Sequence, residues 1–230
     1  MTTVSIPARF NGPPTSANGG YSCGIVATLV EGEAEVTLRS PPPLDTPMSV
    51  THREAMVLVH HGDTLVAEGR SVALDLEYPT APSLDQAAEA RSHYLGYTRH
   101  EFPTCFTCGT RRDDGLAIHP GPVMGTGIVA STWTPDPSLP ADGGALRPEI
   151  VWAALDCPGA WATMREVTSA AVVLGRMAAR IVAPVPVDEP LVSYGWQMGA
   201  AGRKAYAGTA VADARGNVLA YARQVWIALS

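Results

Sequence analysis

The run Arg147-Pro148-Glu149-Ile150-Val151-Trp152-Ala153-Ala154-Leu155-Asp156-Cys157-Pro158-Gly159-Ala160-Trp161-Ala162 constrains this chain more than any other stretch. Pro148 predicts the first turn of a helix, where a missing N–H is no loss. Ile150, Val151, Trp152, Ala154, Leu155, Trp161 and Ala162 leave no polar stripe, so that helix is apolar nearly all round and has to be buried. A carboxylate in such a place is costly unless it is hydrogen-bonded, paired or protonated, which makes Asp156 the first candidate for function. Pro158, two residues on, leaves a second reading open: Asp156 caps a helical piece that restarts after a kink. The flanking chain reads as strand, so the expectation is one buried helix wrapped by a sheet.

Length allows one large domain or two of roughly 100–130 residues. A hydrophobic share of 46% against 17% charged residues fits a folded globular chain, and nothing in a net charge of −6 points to a nucleic-acid groove or an anionic membrane surface. Lys204 is the single lysine. No apolar run approaches the roughly 20 residues of a membrane span, and the N-terminus has no basic stretch leading into an apolar core. The expected setting is therefore the cytoplasm, with Cys23, Cys105, Cys108 and Cys157 as free thiols.

Residues 1–17 read as an irregular arm. Asn18-Gly19-Gly20-Tyr21-Ser22-Cys23-Gly24 then begins a short buried helix with Asn18 as N-cap, its glycines admitting another backbone closely. Glu35–Arg39, an extended Met48–Val59 and Leu65–Leu74 read as strands, with a turn at His61-Gly62-Asp63-Thr64. Ser83 and Gln86 form a capping-box pattern for an outer helix at about 83–95. Leu116–Val123, Gly127–Trp133, Ala170–Ala183, Leu191–Met198 with Ala205–Asp213, and Val218–Leu229 read as further strands.

The two halves repeat each other. Pro41, Pro43, Asp45 and Pro47 stand as P-x-P-x-D-x-P, and Pro184, Pro186, Asp188 and Pro190 stand in the same pattern at a constant offset of 188 − 45 = 143 residues. Each pattern follows a small-residue apolar helix and precedes strands, which points to internal duplication. The expected domains are residues 1–97, with the outer linker helix at 83–95, and residues 98–230.

This pattern resembles the hot-dog fold in its double form: an α+β architecture of two repeats, each a curled antiparallel sheet wrapped around a buried helix. The features that carry the resemblance are the Asn18-Gly19-Gly20 helix start, the Ala153-Ala154-Leu155-Asp156 helix and the strand order after each. Most hot-dog proteins act on acyl thioesters of coenzyme A or acyl carrier protein. The phenylacetate-type thioesterases place a His or Asn before Gly-Gly at a helix start, and an Asp nine residues further along. Here the two are split. Nine residues after Asn18 stands Ala27, and nine before Asp156 stands Arg147. The resemblance thus implies a single composite site, with Asn18, Gly19 and Gly20 of one repeat facing Asp156 of the other, and a dead counterpart at Arg147 and Ala27.

In that site Asp156 is expected to act as general base or as nucleophile, with Asn18 orienting the thioester carbonyl or water. Gly19 and Gly20 amides supply donors where negative charge develops, and Tyr21 and Trp152 complete the substrate-binding set. The bland readings are that Asn18 only caps its helix and that the glycines only turn the chain. No cofactor is expected beyond the coenzyme A of the substrate. Partners are an acyl thioester and further copies of the chain, as a homodimer or larger. A non-catalytic acyl-binding protein and an enoyl-thioester hydratase or dehydratase are the alternatives; the latter usually needs a His, and neither proposed helix carries one.

Cys105-x-x-Cys108-Gly109 resembles half of a zinc knuckle. No second C-x-x-C follows, and His100 and His119 stand at no standard spacing, so the expectation is no metal and two thiols in a loop without structural duty. Arg111, Arg112, Arg203 and Lys204 are candidates for coenzyme A phosphates or, more simply, solvated surface. Trp152, Trp161, Trp196 and Trp226 are candidates for an acyl pocket or for core. His52, His60, His61 and His93 form no ligand pattern.

Overall fold

The computed structural model describes residues 2–164 and 171–229. In chain order its elements are strand β1 (Thr2–Val4), helix α1 (Gly19–Ala27), strands β2 (Ala34–Leu38), β3 (Met48–Arg53), β4 (Met56–His61) and β5 (Thr64–Ser71), and helix α2 (Leu84–Ser92). Strands β6 (Gly121–Pro122), β7 (Ile128–Trp133), β8 (Ala141–Asp142) and β9 (Ala145–Leu146) follow, then helix α3 (Pro148–Thr163) and strands β10 (Val172–Ile181), β11 (Leu191–Ala201), β12 (Lys204–Ala212) and β13 (Val218–Ala228).

Eleven strands form one sheet in the order β1-β3-β4-β5-β2-β10-β13-β12-β11-β7-β6, with β8 and β9 as a separate ribbon. The middle of the sheet is the antiparallel pair β2–β10, running from Arg176 opposite Thr37 to Ala179 opposite Ala34. Glu35 on this seam is buried and faces three guanidinium groups, with Arg70 at 2.6 Å, Arg176 at 3.7 Å and Arg223 at 3.9 Å. Outward from the seam the order is β5, β4, β3 on one side and β13, β12, β11 on the other, the same order of succession in each half. Local bonds repeat as well. The Asp45 amide donates to Ile6 O at 2.8 Å and the Asp188 amide to Pro135 O at 2.9 Å. Ala17 donates to Pro42 O and Leu146 to Val185 O, at 2.9 and 2.8 Å. Asp45 and Asp188 both take left-handed backbone, φ 50° and 59°, a conformation Asp tolerates better than most residues.

Every residue of α3 from Glu149 to Thr163 is buried. The helix runs unbroken through Pro158, so the reading of a second helical piece capped by Asp156 does not apply. Pro158 has no N–H for the carbonyl four residues back; the Ser193 hydroxyl on β11 donates to that Ala154 O instead, at 3.0 Å. Neighbouring carbonyls gain donors too, Ala153 O from Thr107 Oγ1 at 2.8 Å and Leu155 O from Gln224 Nε2 at 2.7 Å. Helix α1 crosses α3 with little room. A Cβ on Gly20 would stand 2.5 Å from Trp152 O and 2.6 Å from Asp156 Cβ, and one on Gly24 2.6 Å from Glu149 Cα. Glycine is what lets the two backbones meet.

Several expectations need correction. Residues 1–17 are not wholly irregular, since β1 pairs with β3 as an edge strand. Met48–Val59 is not one extended run: β3 and β4 form a hairpin that turns at Glu54, φ 52°. Of Leu116–Val123 only Gly121–Pro122 is strand. Ala170, the first residue of the expected 170–183 strand, lies outside the described residues. The outer helix ends at Ser92, and its capping box between Ser83 and Gln86 is formed. No helix among the described residues is long and apolar enough to cross a membrane.

Candidate functional site

Asn18 caps α1. Its Oδ1 accepts the Tyr21 amide at 2.8 Å, which satisfies one of the helix's free N–H groups. The cap turns Nδ2 toward α3, where it donates to Asp156 Oδ2 at 2.8 Å. Thr107 Oγ1 at 3.3 Å and Cys105 Sγ at 3.7 Å lie within reach of the same nitrogen. Thr107 spends its own proton on Ala153 O, so its oxygen is free to accept. Asn18, Thr107 and α3 thus form a buried network that fixes one carboxylate oxygen.

The other oxygen, Asp156 Oδ1, has no hydrogen-bond partner. Burial pushes the carboxyl up to about 7, with a further push from Cys105; the Gly20 amide and the Asn18 side chain favour the charged form without cancelling it. Such a carboxyl can take up and release a proton near neutrality.

Asp156 and Asn18 line a cavity of about 610 Å³ that also reaches Arg39, Arg99, Trp161 and Trp226. Gly19 lines it too, and its amide belongs to the first turn of α1, where helical N–H groups lack internal partners. The remaining proposed residues fall elsewhere. Gly20 is under α3 rather than on the cavity wall. The Tyr21 ring stacks on Phe10, with centroids 4.0 Å apart, and its amide is taken by the cap. Trp152 is core, its carbonyl facing Gly20. Neither Tyr21 nor Trp152, expected to contact substrate, lines the cavity; Tyr21 packs on Phe10, and Trp152 lies at the helix crossing.

Among the arginine candidates, Arg112 is fully engaged with Asp114 Oδ1, Asn11 Oδ1, Thr104 O and Arg9 O, and it pins a loop. Arg203 donates to Ala228 O, and neither Arg111 nor Lys204 lines the cavity. Arg39 and Arg99 do line it; Arg39 pairs with Glu68 at 2.6 Å. Of the tryptophans, Trp161 and Trp226 line the cavity, while Trp152 and Trp196 do not. At the start of α3, Arg147 has no capping bond and turns out to Asp142 at 3.0 Å.

Sequence reasoning missed Thr107, Gln224 and the company Cys157 keeps. Gln224 is wholly buried on β13; it donates to Leu155 O and accepts from Trp226 Nε1 at 2.8 Å. A Gln in step with Ala220, Ala222 and Trp226 on one face of the strand was the available signal. Cys157 faces Cys105, with sulfurs 3.7 Å apart, and Cys108 completes a buried trio. Contact with the Cys108 and Cys157 thiols holds Cys105 well below the usual thiol range, while burial pushes Cys108 up.

No protein-family model and no curated protein matches the sequence. Solved structures do match over nearly the whole chain. The tesB protein of Mycobacterium avium subspecies paratuberculosis is 14% identical, covers 99% of this chain and 92% of its own, and gives a TM-score of 0.61. A hot-dog-fold protein of unknown function from Alicyclobacillus acidocaldarius is 10% identical over 99% and 92%, with a TM-score of 0.63. An acyl-CoA thioesterase II from Mycobacterium marinum is 11% identical over 93% and 90%, with a TM-score of 0.57. At these identities the likeness is one of fold, an α+β hot-dog fold like that of the Alicyclobacillus protein.

Proposed function

We propose that the chain is an acyl-thioester hydrolase built as two fused hot-dog repeats with one composite site between them. The repeated strand order, the paired bonds at Asp45 and Asp188, and the matching proline patterns support the fusion. The observation that carries the function is the 2.8 Å bond from Asn18 to Asp156 on the wall of a cavity, with Asp156 Oδ1 left unpartnered.

In this reading the Asp156 carboxylate takes a proton from water as the water adds to the thioester carbonyl, or attacks the carbonyl itself. Asn18 is committed to the cap and to Oδ2, so its role is to aim the carboxylate rather than to polarise the substrate. The Gly19 amide, in the first turn of α1 on the cavity lining, would serve as a donor of the oxyanion-hole kind where negative charge develops. Trp161 and Trp226 offer an apolar wall to the acyl chain. Arg99, exposed on the cavity wall and in no ion pair among the described residues, suits a phosphate of coenzyme A.

Asp156→Asn keeps the shape and removes the base. Free-thiol release from a panel of acyl-CoA substrates should fall by at least about 10²-fold, within the range typical of a lost general base, with thermal stability no lower than wild type. Turnover unchanged in this variant would remove the assignment. Binding without thiol release by the wild type would favour the acyl-binding alternative, and hydration of an enoyl-CoA the hydratase.

A further inference from the structure

We propose that Cys105, Cys108, Cys157 and His100 form a tetrahedral site for a thiophilic divalent ion, zinc above all. The three sulfurs lie within 4.8 Å of one another, and all three residues are buried. Two spacings fit a tetrahedron. With Zn–S bonds of about 2.3 Å and Zn–N of about 2.0–2.1 Å, neighbouring sulfurs stand roughly 3.8 Å apart and a sulfur–nitrogen edge roughly 3.5 Å. Cys105 Sγ to Cys157 Sγ is 3.7 Å, and Cys108 Sγ to His100 Nε2 is 3.5 Å. The sulfur spacing is far too long for a disulfide, which needs about 2.05 Å.

The surroundings suit the same ion. Cys105 and Cys108 flank one tight turn, closed by the Gly109 amide donating to Cys105 O at 2.8 Å. A Cβ on Gly109 would stand 2.5 Å from that same oxygen, so glycine is required there. Asn18 Nδ2 approaches Cys105 Sγ at 3.7 Å, an outer-shell N–H of the kind that steadies a metal-bound thiolate. One rearrangement accompanies binding. His100 Nδ1 now accepts the Phe102 amide at 3.1 Å, and Nε2 points at Cys108 O at 3.0 Å. To ligate through Nε2 the ring swings toward the other two sulfurs, moves its proton to Nδ1 and gives up both the Phe102 and the Cys108 O bonds, two neutral hydrogen bonds exchanged for a metal–nitrogen bond. Four protein ligands make a closed site, structural rather than catalytic. The ion would tie the 100–108 loop to α3 one residue from Asp156, setting a wall of the cavity. This inference stands apart from the hydrolysis reading.

The test uses the full chain, purified under reducing conditions from zinc-supplemented medium. Elemental analysis should give one zinc per chain. After chelation, Co²⁺ alone should restore one equivalent, with the intense visible bands and sulfur-to-cobalt charge-transfer absorption of a tetrahedral thiolate site. Cys157→Ser and Cys105→Ser should lose the ion. Cys23→Ser, at a buried thiol outside the cluster, should keep it, which separates loss of ligand from loss of fold. His100→Ala should still take Co²⁺, at least about tenfold more weakly and with an altered visible spectrum. The proposal is overturned by metal-free protein that takes up no Co²⁺ while folded, by unchanged cobalt spectra in Cys157→Ser, or by a Cys105–Cys157 disulfide in place of the ion.

Discussion

Asn18 performs two tasks with one amide, and two substitutions separate them. Asn18→Ala removes both the cap on Tyr21 N and the bond to Asp156. Loss of an N-cap costs about 1 kcal/mol, and loss of a hydrogen bond to a charged group about 1.5–3 kcal/mol. For a chain of this size each kcal/mol lowers the melting temperature by roughly 2–4 °C, so the alanine variant should lose about 5–15 °C. Asn18→Ser keeps an oxygen at the cap, where serine serves as well as asparagine, but has no N–H to reach Asp156. It should recover the cap's share of stability while leaving Asp156 Oδ2 unheld. A carboxylate free to turn loses alignment, and a displacement near 1 Å is enough for about 10²-fold in rate. The assay pairs thermal unfolding with thiol release from an acyl-CoA. Serine at wild-type turnover would refute the positioning role, and serine as unstable as alanine would refute the division of labour.

Other consequences follow from the same framework. Ser193→Ala should cost about 1–3 kcal/mol, the penalty for stranding the buried Ala154 carbonyl. In a Pro158→Ala background, where the restored N–H can reach that carbonyl, the cost should fall below about 1 kcal/mol. Urea unfolding measures the cycle, and additivity within about 0.5 kcal/mol would dismiss the compensation. His119 is held neutral, its imidazole lowered to about 4 chiefly by burial, with Arg91 adding to the shift. Its unfolded value is near 6.5, so the neutral ring contributes stability fully present above about pH 6.5 and lost as pH falls toward 4. His119→Gln should flatten that acid limb relative to wild type; parallel limbs would exclude His119 as its source.

Much of this arrangement is readable in the residues because its causes are local. Pro148 and the unbroken apolar run announce α3, and Asn18-Gly19-Gly20 announces a capped helix start that admits a neighbour. The parts that escape notice depend on distant or unmarked chain. The β3–β4 hairpin turns at Glu54 in left-handed backbone, with no glycine or asparagine to advertise it. Strand β1 has only three residues and owes its shape to pairing with β3. Arg112 resembles any surface arginine until four acceptors from three segments close on it. Cys157 is 52 positions from Cys105, on another element, so no spacing rule joins it to the Cys105–Cys108 pair.

The donors that finish α3 come from far along the chain: Ser193 is 39 positions from Ala154, Thr107 46 from Ala153, and Gln224 69 from Leu155. A helix whose middle is completed by such remote groups gains little by forming ahead of them. Because long-range closure has to precede the contacts that reward it, we expect α3 to be completed only once β11 and β13 have closed over it. A nascent chain released before Gln224 emerges would leave the Leu155 carbonyl, beside Asp156, without its donor.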